Sequence, residues 1–144
     1  MQRVSEASVT LPDGETRCVG RGLLVLLGVG VNDTPEQAVW LASKTARLRI
    51  FRNGLGKFDL SVTDIKGSAL VISQFTLYGD CGKGARPDFT AAARPETAVP
   101  LYELYVSELK KSGIAVLTGE FGADMKVALV NDGPVTVLLE KENA

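Results

Sequence analysis

The chain has no histidine among its 144 residues. Histidine is the usual general base of serine and cysteine hydrolases and the commonest transition-metal ligand, so its absence excludes a histidine-based catalytic triad. The two cysteines, Cys18 and Cys81, lie too far apart in sequence for a metal-binding or redox pair, which predicts free thiols in a reducing compartment. The acidic residues do not follow the alternating pattern of a calcium loop. We therefore expect no metal and no cofactor.

Long apolar runs are missing as well. The longest, residues 23–31 and 69–72, fall far short of the roughly 20 residues that a membrane-spanning helix needs. The N-terminus lacks the basic and then apolar segments of a secretory signal, so we expect a cytoplasmic protein that does not bind a membrane. The net charge is −1 and the sequence pI is about 5.5, which leaves no large basic surface for non-specific nucleic-acid binding. Any RNA contact must therefore be local, and DNA is not an expected partner.

The length and the residue patterns of the chain predict a single α/β domain over residues 1–144, because a chain of this length can bury its own hydrophobic core. Thr34, Pro35 and Gln37 supply the N-cap, the first helical position and the capping-box partner of an amphipathic helix. Pro95 begins a second helix, which we expect to end near Gly113. Strands are predicted over residues 3–10, 15–19, 23–29, 69–77, 114–118, 126–130 and 135–140.

Gly28-Val29-Gly30 lies between a predicted strand and a predicted helix, where a phosphate-binding loop could stand. That motif needs another glycine three residues on, and Asp33 occupies the position. Turn geometry is therefore the better interpretation of the two glycines.

Two polar segments stand out at the ends of predicted strands. The first is Ser73-Gln74-Phe75-Thr76-Leu77 and the second is Asn131-Asp132-Gly133-Pro134-Val135-Thr136. In this order they closely resemble the paired motifs of the D-aminoacyl-tRNA deacylase family. The resemblance covers essentially the whole chain and extends to residues 2–4, 22–29, 49–51, 83–87 and 118–125. The chain departs from the family pattern at two places, which affect only the rim of the expected substrate pocket. Phe58-Asp59 replaces the usual Met-Asn, and Cys81 replaces a small polar residue.

The resemblance implies a layered, barrel-like β-sheet core with two helices, and a homodimeric enzyme with active sites shared between subunits. Such an enzyme hydrolyses the ester bond of a tRNA that carries a D-amino acid, and it releases the free amino acid and tRNA. In the family the Gly133-Pro134 peptide is cis and projects into the active site of the partner subunit. Its carbonyl groups would collide with an L side chain. Substrates with a D side chain would fit the active site, and so would glycyl-tRNA, including glycine mischarged on the tRNA for alanine.

Several of the residues concerned also have ordinary interpretations. Taken alone, Gly133-Pro134 predicts a hairpin turn and Arg3 predicts a solvated charge at a sheet edge. Met125, Phe75 and Phe89 would by default be core residues. The resemblance instead implies that Arg3 braces the Gly-Pro segment and that Met125 lies near the pocket. It assigns Phe75, Phe89, Ser73 and Gln74 to the terminal adenosine, and Asn131, Val135 and Thr136 to support of the Gly-Pro motif. Lys83, Arg86 and Lys57 are the best local basic cluster for the phosphates of the acceptor stem, with an ordinary solvated loop as the alternative.

The catalytic candidates are Phe75 and Thr76. A threonine hydroxyl without a neighbouring base is poorly activated at neutral pH, so covalent catalysis by Thr76 is disfavoured. The ribose 2′-hydroxyl of the substrate can position or activate water instead, while backbone N–H groups near Phe75 and Thr76 stabilise the oxyanion. The resemblance points to the same RNA-assisted hydrolysis.

Two alternative functions stay open. The protein could be a module that binds the end of mischarged tRNA without hydrolysing it, or a related deacylase that edits an L-amino acid such as alanine. The Ser-Gln-Phe-Thr-Leu form of the first motif argues against the second alternative.

Overall fold

A curled sheet with two helices on one face makes up the fold of this computed structural model, which describes residues 1–143. The elements in chain order are β1 (Gln2–Thr10), β2 (Thr16–Val19), β3 (Gly22–Leu27), α1 (Pro35–Arg47), β4 (Phe51–Arg52), β5 (Phe58–Leu60), β6 (Ser68–Ser73), the 3-10 helix Phe75–Tyr78, α2 (Pro95–Lys111), β7 (Ala115–Thr118) and β8 (Lys126–Thr136). The expected α/β class with two α-helices is confirmed.

Strand β1 is the centre of a six-stranded sheet. On one side it pairs antiparallel with β2 and β3, which share one register and so act as a single interrupted strand. On its other side β1 pairs antiparallel with β8. Strand β6 pairs parallel with β3, and β7 pairs parallel with β6. The sheet curls until Arg17 of β2 donates from Nη1 to the Thr118 carbonyl of β7 at 2.8 Å, which nearly closes a barrel.

The two faces of the sheet bury separate apolar clusters. One cluster joins the sheet to α1 and α2, where Thr45 and Tyr105 also share a buried hydrogen bond of 2.8 Å. The other fills the inside of the curl. Its buried members are Val4, Ala7, Val9, Leu11, Val19, Leu24, Leu70 and Ile72. The site segments are thus attached to a sheet that is packed on both faces.

The local signals for the helices are confirmed. Thr34 and Gln37 form the capping box of α1, with Pro35 at the first helical position. Helix α2 begins at Pro95, and Gly113 follows its end with φ of 87°. Cys18 and Cys81 are both free thiols. Within residues 1–143 we find no helix that is long and apolar enough to cross a membrane.

The prediction that strand structure continues through residues 73–77 is wrong beyond Ser73. The chain turns into a 3-10 helix, in which Gly79 N–H donates to the Thr76 carbonyl at 3.0 Å. Phe and Thr favour strands on average, but tertiary contacts override that preference here.

The prediction of two strands over residues 126–130 and 135–140 is also wrong. The structure has one strand, β8, which ends at Thr136. Between the pairs Val4↔Asn131 and Gln2↔Thr136, β1 advances by two residues while β8 advances by five. The Gly133-Pro134 segment therefore bulges out of the strand, at a place where the missing proline N–H breaks no regular ladder.

Candidate functional site

The first motif lies at the carboxyl edge of the parallel strands. Ser73 ends β6 opposite Leu27, the last residue of β3, and the Gln74 N–H donates to the Leu27 carbonyl at 2.8 Å. Polar residues that follow buried parallel strands meet at one edge of a sheet, which is a common place for a ligand site in α/β proteins.

Gly28 and Gly30 form the surface on which the 3-10 helix rests. A Cβ on Gly28 would lie 3.3 Å from the Gln74 carbonyl oxygen, and one on Gly30 would lie 2.8 Å from the Tyr78 hydroxyl. Neither glycine has positive φ among the residues described. Gly30 begins a turn, in which the Asp33 N–H donates to its carbonyl at 3.1 Å, and both glycines also allow the close approach of the 3-10 helix. Burial, with the nearby Asp33 carboxylate adding to it, raises the pKa of Tyr78 above its ordinary value, so this phenol stays neutral.

Two aromatic side chains stand open to solvent beside this helix. Phe75 is 56% exposed and Phe89 is 36% exposed, and their ring centroids lie 5.2 Å apart in an edge-to-face arrangement. The default interpretation of both as core residues is therefore wrong. Rings that are held together but left uncovered can offer a face to a planar ligand such as a nucleobase.

Thr76 is exposed, and its hydroxyl accepts a hydrogen bond from the side-chain amide of Gln74. An amide that donates to a hydroxyl cannot remove its proton, so this contact gives Thr76 no general base. The contact orders the two side chains at the start of the 3-10 helix.

Met125 lies at the same edge as the first motif. Its sulfur accepts from the Glu120 N–H at 3.3 Å and would lie 2.6 Å from a Cβ on Gly119. The side chain is partly buried and packs on the cluster that contains Ile72, the residue before Ser73. Met125 is thus both a packing residue and a neighbour of the strand end that carries the first motif.

The Gly133-Pro134 segment is exposed and its peptide bond is cis. Arg3, by contrast, is only 4% exposed, so it is not a solvated edge charge. Its Nε donates to the Asp132 carbonyl at 3.0 Å, and its Nη1 donates to the Ile50 carbonyl at 2.8 Å. One buried side chain therefore connects the segment to the body of the protein.

The remaining motif residues hold the bulge from within. The Asn131 side chain accepts from the Val135 N–H at 3.1 Å and donates to the Gln2 side chain at 2.6 Å. The Thr136 hydroxyl donates to the same Gln2 oxygen. These bonds span the base of the bulge and fix where it leaves β8.

The structure does not bring the two motifs together within one chain. Arg3, which holds the second motif, pairs with Leu23 near the start of β3, whereas Ser73 of the first motif pairs with Leu27 at its end. Four residues of strand correspond to about 13 Å. Strands β8 and β6 run in the same direction, so both motifs lie toward the carboxyl ends of their strands, but β1 and β3 lie between β8 and β6 and keep the motifs apart.

The basic residues that we considered for phosphate contacts also lie in two separate places. Lys83 and Arg86 are exposed in the loop after the 3-10 helix, where Asp80 and Asp88 pair through two backbone hydrogen bonds. Hydrogen bonds from Thr90 lower the pKa of Asp88, which keeps this loop anchor ionised. Lys57 is exposed just before β5, in the hairpin whose Phe58 contacts Arg3, and it is far from that loop in sequence.

Two residues of the site regions escaped the sequence reasoning. Tyr78 packs under the 3-10 helix, and Phe58 lies over the Arg3 guanidinium. The only signal for Phe58 was its departure from the family pattern. No group of three or more Cys, Asp or Glu side chains in residues 1–143 is arranged to hold a metal ion.

Comparison with known proteins covers nearly the whole chain. The family model for D-Tyr-tRNA(Tyr) deacylase matches residues 1–140. A D-aminoacyl-tRNA deacylase from Roseiflexus sp. (strain RS-1) is 56% identical over 140 residues, which are 97% of this chain and 90% of that protein.

Solved structures agree on the fold. A protein described as c-Myc DNA unwinding element binding protein superposes with a TM-score of 0.90 at 39% identity, over 99% of this chain and 97% of that one. A probable eukaryotic D-amino acid tRNA deacylase superposes with a TM-score of 0.78 at 15% identity, over 89% and 90% of the two chains, which shows a shared fold alone.

Fold and site together define a small α/β protein whose nearly closed sheet carries two polar motifs on strands that are not neighbours. The chain belongs to the D-Tyr-tRNA(Tyr) deacylase family. The expected family and its barrel-like fold are thereby confirmed.

Proposed function

We propose that the protein hydrolyses the ester bond of D-aminoacyl-tRNA, with each active site built from two copies of the chain. The enzyme class follows from relatives that are named D-aminoacyl-tRNA deacylase. The separation of the two motifs on one sheet is the observation that supports an active site shared between two copies of the chain. A second copy can bring its Gly133-Pro134 segment to the edge where Phe75 and Thr76 lie, and symmetry then creates two equal sites.

An exposed apolar surface on β8 supports this association. Val127, Leu129 and Val130 are exposed on a strand that, in the described part of the chain, pairs with β1 alone. Apolar side chains on an open edge strand favour contact with another chain, and β8 also carries the Gly133-Pro134 segment. The same contact would therefore cover β8 and deliver the segment.

Main-chain groups of the Gly133-Pro134 segment would select between D and L substrates by steric exclusion. Carbonyl groups of Gly133 and Pro134 placed against the α-carbon of the amino acid leave no room for an L side chain. A D side chain points away from them, so its size and polarity matter little. Glycine has no side chain to collide, and we expect glycyl-tRNA, including the tRNA for alanine, to be cleaved as well.

The tRNA end would bind along the first motif. The exposed rings of Phe75 and Phe89 can stack the terminal adenine for about 1 to 3 kcal/mol, while backbone groups of Ser73 and Gln74 bind the base and ribose. Lys83 and Arg86 form no ion pair within residues 1–143, so both are free to contact acceptor-stem phosphates. With a net charge of −1, the protein offers no broad surface for duplex DNA.

Hydrolysis then relies on the substrate. The Thr76 hydroxyl has no base, so the 2′-hydroxyl of the terminal ribose positions or activates the attacking water. The N–H groups of Phe75 and Thr76 stabilise the oxyanion that forms on the ester carbonyl. Both steps depend on the position of the 3-10 helix.

The decisive experiment compares D-tyrosyl-tRNA with L-tyrosyl-tRNA at equal concentration and follows loss of each ester. We expect rapid loss of the D ester and a stable L ester. A protein that binds both without cleaving either would be a binding module, and one that cleaves the L ester would be an editing deacylase of another kind. Sedimentation at the assay concentration tests the shared site, because a monomer with full activity would contradict it.

Gly30→Ala is expected to slow deacylation of D-tyrosyl-tRNA about tenfold. The new methyl group would push Tyr78, and with it the 3-10 helix, by a fraction of an ångström, and shifts of about 1 Å can cost a hundredfold in rate. Tyr78→Phe removes the atom that is closest to the new methyl, so the double variant should regain part of the rate. Initial rates of the single and double variants check this; equal rates for both would mean that Tyr78 does not transmit the effect.

A further inference from the structure

The guanidinium of Arg3 is bound through its edge to main-chain carbonyls. Nε binds the Asp132 carbonyl, Nη1 binds the Ile50 carbonyl, and Nη2 would lie 3.0 Å from a Cβ on Gly133. Two of the three nitrogens therefore bind main-chain carbonyls, and Nε also lies 3.8 Å from the Asp132 carboxylate. A planar cation that is bound at its edges can still rotate out of this plane unless something packs on a face.

The Arg3 guanidinium lies over the ring of Phe58. The ring centroid lies 5.4 Å from the Arg3 Cζ atom, within the range of a cation–π contact. The ring is 48% exposed, although Arg3 beneath it is almost fully buried. Phe58 pairs across the β4–β5 hairpin with Arg52, whose own Cζ lies 5.0 Å from the ring centroid. The hairpin thus holds one aromatic ring against two cations.

The hairpin reaches Arg3 by two routes. Ile50, just before β4, supplies the carbonyl that binds Nη1, and Phe58 of β5 supplies the ring. This small second sheet has no strand pairing with the main sheet among the residues described. Its contacts with Arg3 therefore connect it directly to the Gly133-Pro134 segment.

We propose that Phe58 is a positioning residue that sets the Gly133-Pro134 segment through Arg3, and so sets the discrimination between D and L substrates. The proposal rests on the proposed function, in which this segment is the wall against L side chains. The ring shields the Arg3 hydrogen bonds from water and holds the guanidinium in the plane in which it binds the Asp132 carbonyl. Loss of the ring frees the segment to move, and a wall that moves admits L side chains.

Substitutions at Phe58 distinguish the effect of its aromatic face from the effect of its apolar volume. Phe58→Leu keeps an apolar side chain and removes the face, whereas Phe58→Trp keeps a face of larger area. Leu55→Ala is the matched control, since Leu55 lies in the turn of the same hairpin and is 82% exposed. Each variant is assayed with D-tyrosyl-tRNA and L-tyrosyl-tRNA, and its thermal unfolding is recorded.

We expect Phe58→Leu to lower the ratio of D to L cleavage about three- to tenfold, in line with the strength of a partly exposed cation–π contact. The kcat for the D substrate should fall while KM for the tRNA stays the same, because adenosine and phosphates bind along the first motif and not at the Arg3 contact. Phe58→Trp should restore the ratio, and Leu55→Ala should match the unaltered protein. An unchanged ratio in Phe58→Leu, or equal losses in Phe58→Leu and Phe58→Trp, would overturn the proposal.

A second measurement separates this proposal from the proposed function. The amide resonance of Gly133 in a 15N-labelled sample should shift in Phe58→Leu and stay in place in Leu55→Ala. If the unaltered protein cleaves neither substrate, the proposed function fails, and the Gly133 resonance alone decides whether Phe58 positions the segment. A resonance that does not move in Phe58→Leu refutes that role.

Discussion

Deacylation of D-tyrosyl-tRNA that ends in 2′-deoxyadenosine is expected to be at least about a hundredfold slower than that of the ordinary substrate. Removing the 2′-hydroxyl takes away the one group beside the ester that can position or activate water. The chain has no histidine to replace it, and the Thr76 hydroxyl is bonded to an amide. Single-turnover rates with the two tRNAs, at saturating protein, measure the effect without a contribution from binding.

Thr76→Ala is the matched protein variant for that experiment. Because no described side chain acts as its base, we expect its loss to slow the reaction less than about tenfold. The contrast between the two changes is the test. Full cleavage of the deoxy substrate, or a Thr76→Ala variant as slow as the deoxy reaction, would show that the protein side chain and not the RNA drives hydrolysis.

Gly133→Ala is expected to lower D-tyrosyl-tRNA cleavage about a hundredfold and to weaken the rejection of the L substrate. Gly133 has φ of 132°, a conformation that an L residue adopts at a cost of about 1 to 3 kcal/mol. A Cβ there would also lie 2.8 Å from the Val135 side chain and 3.0 Å from Arg3 Nη2. The segment must shift to relieve these contacts, and its carbonyl groups shift with it.

A control with the same backbone problem isolates the effect of position. Gly14 has φ of 90° in the β1–β2 turn, and a Cβ there would meet nothing within 4 Å. Gly14→Ala should lower stability through the backbone cost alone and leave the ratio of D to L cleavage unchanged. Initial rates with both substrates, together with urea unfolding, compare the two variants. Wild-type rates in Gly133→Ala would contradict the role of this segment.

The parts of the fold that sequence predicted well are those set by neighbours in the chain. Thr34, Pro35 and Gln37 define the start of α1 among themselves, and Pro95 does so for α2. The two motifs were likewise recognisable because each is a continuous run. What each motif does stays a prediction for the experiments above to decide.

The parts that sequence missed depend on residues far apart in the chain. Residues 73–77 leave the strand because Gly28 and Gly30 offer a close surface to Tyr78, and no local pattern reports that surface. Strand β8 continues past Asn131-Asp132-Gly133-Pro134 because β1 supplies partners on both sides of the bulge. A turn signal within the segment cannot reveal a partner strand more than a hundred residues earlier.

Arg3 joins residues that are 47 and 129 positions away in the chain, which has a consequence for how the protein is made. During synthesis the ribosome releases β1 well before β8, so the side of β1 that pairs with β8 stays unpaired until β8 has emerged. A nascent chain in this state presents an open strand to other polypeptides. The segment that would read handedness is thus completed by the final folding contacts, and a prematurely terminated product would lack it.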